Sequence, residues 1–167
     1  MDIAAFYAVV AGVNFTLLGL WWVAVQDKVD LRDAAARRMA YVVALQFMVP
    51  GTASLISQVA PTVTTIWRVT FTLAGLAGAA GVLLVVPVLR KAPLSVGSRG
   101  AAAFMLGAGL PLYALVTLVA AVPGVHEAVS DKLTGLQTEA ILFSVLVLLS
   151  VQVAWSVAMM PKPADDD

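Results

Sequence analysis

Cysteine is absent from the 167 residues, and histidine occurs once, at position 126. Without cysteine there are no disulfides, thiolate nucleophiles or thiolate metal sites. One histidine in a loop beside Glu127 cannot assemble the convergent ligands that a metal needs, so neither a metal nor another cofactor is expected. Charge is also scarce. Asp, Glu, Lys and Arg make up 12% of the chain, with ten basic residues balanced by ten acidic ones. That balance gives no footprint for nucleic acid and no polybasic tail for anionic lipid. The phosphate-binding loop, the zinc-protease signature and the nucleophile elbow are all missing, and no acidic pair lies within the apolar runs. An enzyme is therefore not expected.

What fills the chain is apolar: 61% of residues are hydrophobic and the mean hydropathy is +0.95, the composition of an integral membrane protein. Charges cluster between long apolar segments that reach the roughly 20 residues needed to cross about 30 Å of hydrocarbon. The pattern predicts an all-α bundle of five transmembrane helices at about 3–26, 38–59, 66–89, 101–122 and 139–160. These form one domain over 1–160, followed by an acidic tail at 161–167. The first segment reads as a retained span, since Asp2 stands where a signal peptide has basic residues and the run is too long for its apolar core.

Basic residues resist translocation, so their distribution sets orientation. Lys28, Arg32, Arg37 and Arg38 flank the first connection, Arg90, Lys91 and Arg99 the third, and Lys162 lies in the tail. Only Arg68 and Lys132 fall on the opposite side. The expectation is a plasma-membrane protein with its N-terminus outside and its C-terminus in the cytoplasm. In the fourth connection, Val125, Val129, Leu133 and Leu136 recur at near-helical spacing, which fits either a short interfacial amphipathic helix or a solvated loop.

Three carboxamides interrupt the apolar runs near mid-depth. Asn14 falls at the centre of the first span, and Gln46 and Gln152 lie within about 4 Å of the midplane at 1.5 Å per residue. Two prolines share the layer: Pro50 leaves the carbonyl of Gln46 without its helical donor, and Pro111 does the same to Gly107. Backbone broken at this depth must be buried in protein or face a water-filled cavity. Gln46, Pro50, Ser54 and Gln58 recur every four residues as a polar stripe, and Gln152 with Ser156 forms a shorter one. These residues either line a path or pocket, or serve as interhelical hydrogen bonds worth about 0.6 kcal/mol each.

Arg68 and Glu139, about 13 and 15 Å from the centres of their spans, can snorkel outward or pair with each other. Trp21 and Trp22 read as an inner interfacial belt. Gly75, Gly78 and Gly81 on the third helix, with Gly12 on the first and Gly107 on the fourth, give small faces for close helix packing. No internal repeat is evident. Five helices make too thin a bundle to enclose a generous aqueous cavity, which favours a homo-oligomer in the bilayer. The expected function is a channel or facilitator for an ion or small solute. The alternatives are a structural or accessory subunit and, third, a small membrane enzyme or lipid-binding protein.

Overall fold

The structure, a computed structural model, describes residues 2–28, 34–59, 61–91, 100, 103–129 and 132–158. All the regular elements among them are helices: α1 (Ile3–Lys28), α2 (Ala34–Val59), α3 (Thr64–Lys91), a π-helical turn (Met105–Gly109) leading into α4 (Leu110–Ala121), α5 (Val125–Val129) and α6 (Gly135–Ala158). Four of these, α1, α2, α3 and α6, are long and apolar enough to cross a membrane. Within the expected fourth span the described apolar helix covers Met105–Ala121, about 25 Å at 1.5 Å per residue. Arg32, Arg99 and Lys162, three of the basic residues that set the expected orientation, lie outside the described residues, as does the acidic tail.

Local chemistry explains the helix ends. Asp2 Oδ1 accepts the backbone N–H groups of Ala4 and Ala5 at 3.0 and 3.3 Å, satisfying two of the orphan donors that open α1. Pro61 follows α2, and Pro123 follows α4, where the chain turns at Gly124 with φ 85°, a conformation glycine adopts without strain. At α6, Thr134 and Gln137 form a reciprocal capping box: Thr134 N–H donates to Gln137 Oε1 at 2.9 Å, and Gln137 N–H to Thr134 Oγ1 at 3.3 Å. This box starts α6 at Gly135 instead of 139. Glu139 consequently lies a full turn inside the helix, about 11 Å from its centre.

Contacts fix the directions of the helices. Trp21 Nε1 donates to the Ala40 carbonyl at 3.0 Å, and Asn14 packs at Gly51, where an added Cβ would come within 3.2 Å of the Asn14 Cβ. α1 and α2 therefore run antiparallel. α3 and α4 approach closely: a Cβ on Gly75 would stand 2.9 Å from the Tyr113 carbonyl oxygen, and one on Gly78 would overlap the Tyr113 ring. These two expected packing glycines do meet a neighbour. Gly81 is looser, its nearest contact being Val42 Cγ1 at 3.8 Å, and Gly12 and Gly107 have open space within 4 Å. Within this chain the last two are not packing positions.

Candidate functional site

Two polar regions occupy different levels of the bundle. The middle one is built on the broken backbone of α2. Pro50 has no N–H for the Gln46 carbonyl, and the Ser150 hydroxyl on α6 supplies a donor at 3.3 Å while also reaching the Leu146 carbonyl at 2.8 Å. The Gln46 side chain, 6% exposed, accepts through Oε1 from the Tyr113 hydroxyl on α4 at 2.5 Å. Seating Tyr113 there is what Gly78 permits. Before the second proline the helix changes register instead: the Leu110 N–H bonds the Met105 carbonyl in a π-turn that leads into Pro111, a device that absorbs such a break.

The upper region, at the end of the bundle where α1, α3 and α6 begin, is aromatic, and its carboxyl group lacks partners. The Tyr7 hydroxyl donates to the Leu136 carbonyl at 2.8 Å, docking α1 on the first turn of α6. The Trp67 indole sits on Gly135, where an added Cβ would be 2.9 Å from Cη2. Phe71 joins the two sides, with ring centroids 5.7 Å from Tyr7, 6.3 Å from Trp67 and 4.7 Å from Phe143. Gly135, Glu139 and Phe143 recur every four residues, so they share one face of α6. Glu139 thus lies between the Trp67 contact and the Phe71–Phe143 contact, fully buried, with no hydrogen-bond partner for either carboxyl oxygen.

Neighbouring helices add two further orphans. Asn14 is fully buried; its Nδ2 donates to the Val10 carbonyl at 2.8 Å and its Oδ1 has no partner. Ser54 is equally buried, and its Oγ has none either. Counting back from the Gln46–Ser150 contact along the antiparallel pair α2 and α6 sets Glu139 level with Ser57. Counting from Tyr7–Leu136 along the parallel pair α1 and α6 sets Asn14 one turn below it. Asn14, Ser54 and Glu139 therefore fall within about one turn of each other on three packed helices.

The expected Arg68–Glu139 pair does not form. Trp67 points at α6, and successive helical residues diverge by about 100°, so Arg68 turns away from the carboxyl. Its guanidinium lies 5.6 Å from the Trp67 ring centroid, its Nε is unpartnered, and it edges a groove of about 250 Å³ with Val69, Thr72, Leu73, Ala120 and Ala121. Glu139 has turned inward instead of snorkelling.

Other expectations divide similarly. Gln58 donates to the Ser54 carbonyl one turn back at 3.2 Å, and Ser156 to the Gln152 carbonyl at 2.8 Å, so both close bonds within their own helices. Gln152 itself is exposed on the outer face of α6, apart from buried Gln46 and Asn14. The three midplane amides do not line one surface of this chain. Trp21 is buried and bonded to α2, so it packs helices where a belt position was expected; Trp22, 43% exposed, faces outward. Tyr7, Tyr113, Ser57 and Ser150 escaped the sequence reading, because an aromatic or serine among apolar residues is the commonest content of a membrane helix. His126 is half-buried beside Gly135, and its Nδ1 is unpartnered.

No protein-family model, curated protein or solved structure matches the chain.

Proposed function

We propose that this membrane protein passes a small solute or ion across the bilayer, as a homo-oligomeric channel or facilitator with five spans, its N-terminus outside a plasma membrane and its C-terminus in the cytoplasm. One observation carries the reading: Glu139 is a fully buried carboxyl inside a membrane-length helix, with neither oxygen hydrogen-bonded. An ionisable group held this way costs several kcal/mol and is a poor structural element, so its retention points to a transported or coupling species. The unpartnered Asn14 Oδ1 and Ser54 Oγ nearby extend the same polar locus toward mid-depth. In this reading the path runs past Glu139, Ser54 and Asn14, while Gln46 holds the bundle together.

Self-association draws on the outside of the bundle. Ala5, Ala8, Gly12 and Gly19 form an exposed small-residue face on α1, the least buried of the membrane-length helices. On α6 the exposed Gln152, two residues beyond Ser150, lies within about 3 Å of the level of Gln46, where lipid offers an amide no partner. A second copy supplies one at the same depth.

The accessory-subunit reading is favoured by a different observation, the Gln46–Tyr113 and Gln46–Ser150 bonds, which spend the central amide on packing. Proteoliposomes containing only this chain separate the two. Flux of protons, monovalent cations or small neutral solutes above that of empty vesicles, reduced in Glu139→Gln, supports translocation. Folded, reconstituted protein that carries none of them leaves the accessory role.

A further inference from the structure

We propose that Glu139, with Tyr7, Trp67, Phe71 and Phe143, forms a binding site for a small organic cation of the ammonium or phosphonium class. The proposal deepens the translocation reading above and rests on it for the fate of the ligand, but binding itself can be measured without flux.

Among the described residues the carboxyl has no counter-charge: neither oxygen accepts a hydrogen bond, Arg68 faces the groove against α4, and Glu127 and Lys132, which precede α6, stand on exposed positions. The titratable groups packed toward Glu139 are Tyr7, whose hydroxyl is committed to the Leu136 carbonyl, and His126, one turn above at Gly135. At these levels α2 carries the buried Ser54 and Ser57, and α3 the rings of Trp67 and Phe71. Among the described residues nothing compensates the carboxylate, which leaves a proton or a bound cation to do so.

Ring chemistry selects among candidates. A divalent metal needs several oxygen or nitrogen ligands, and among the described residues no group of three or more His, Asp and Glu converges. Four aromatic rings from three helices converge at the level of the carboxyl instead. Their negative faces attract a weakly hydrated cation, which loses little on leaving water, and a single carboxylate completes the charge. Ammonium groups are recognised in this way by aromatic cages.

Access follows from one contact. Ring centroids 4.7 to 6.3 Å apart leave no room for a further molecule between them, so a ring must move. Trp67 is the ring at the upper end, 8% exposed and seated on Gly135 with no Cβ between them. Displacing it outward opens the carboxyl from the side of α5. A cation and a proton then compete for the same carboxylate.

The test uses the full chain in lipid nanodiscs, titrated calorimetrically with tetraphenylphosphonium at several pH values, with neutral triphenylphosphine oxide and empty nanodiscs as controls. The expected result is saturable one-site binding that weakens as pH falls, approaching tenfold per unit where one proton competes. It is lost at least hundredfold in Glu139→Gln, retained with altered affinity in Glu139→Asp, and weakened about tenfold in Trp67→Ala, the scale of one cation–π contact. Gly135→Ala, which pushes the indole off its seat, speeds association. Circular dichroism and gel filtration establish that each variant is folded, and Glu139→Asp carries the test if Glu139→Gln is not. Binding that survives unchanged in folded Glu139→Gln, is independent of pH, or matches empty nanodiscs overturns the proposal. Binding without flux upholds the site and removes the translocation reading; flux without binding does the reverse.

Discussion

The middle and upper regions of this bundle handle buried polarity in opposite ways. Around Gln46 each break has a partner: the carbonyl freed by Pro50 meets Ser150, and the amide meets Tyr113. Around Glu139 the most costly group in the core has none, and two neighbours, Asn14 and Ser54, each leave an oxygen unsatisfied. Both regions are buried to a similar degree, so exposure does not explain the contrast. Satisfied polarity in a membrane holds helices in register; unsatisfied polarity persists only where something other than stability maintains it. On the proposed reading the middle is the structural lock and the upper region the site.

Substitutions can break that contrast, and the largest effect is expected at the lock's packing. Gly78→Val drives its side chain into the Tyr113 ring, which both overpacks the α3–α4 contact and pulls the hydroxyl off Gln46. A loss of about 3 kcal/mol is expected, most of it from overpacking, seen as a drop in the detergent melting temperature. Tyr113→Phe keeps the ring and removes one donor, leaving Gln46 Oε1 buried and alone; about 1–2 kcal/mol should be lost. Ser150→Ala is milder, about 0.6 kcal/mol, because its hydroxyl divides between the Gln46 and Leu146 carbonyls. Gly12→Val, on an open face, should leave the melting temperature of the monomer unchanged while reducing the oligomer resolved by crosslinking.

Much of the lock was legible in the sequence and little of the site was. Proline chemistry alone identified the Gln46 carbonyl as a group in need of a partner, and the spacing of Gly75 and Gly78 announced a close helix contact. The partners were not legible, because which of several serines and tyrosines faces Gln46 depends on helix rotation. With a span that starts at 139, Glu139 reads as an interfacial residue. The capping box Thr134–Gln137 was present in the sequence and moves that start to 135, turning an interfacial residue into an interior one. Ion pairing with Arg68 failed for a related reason: depth along the axis can be counted from sequence, but the direction a side chain faces is set by packing, here by Trp67 on Gly135.

The most direct test of the contrast compares the stability of Glu139→Met with that of Tyr113→Phe in one detergent. Replacing an unpartnered carboxyl by an apolar side chain of similar size removes a desolvation cost without leaving a cavity, whereas removing the tyrosine hydroxyl creates an orphan. The account predicts a higher melting temperature for Glu139→Met and a lower one for Tyr113→Phe. If both variants melt below the wild type by similar amounts, Glu139 is part of the structural lock and the assignment of the upper region as the site is wrong.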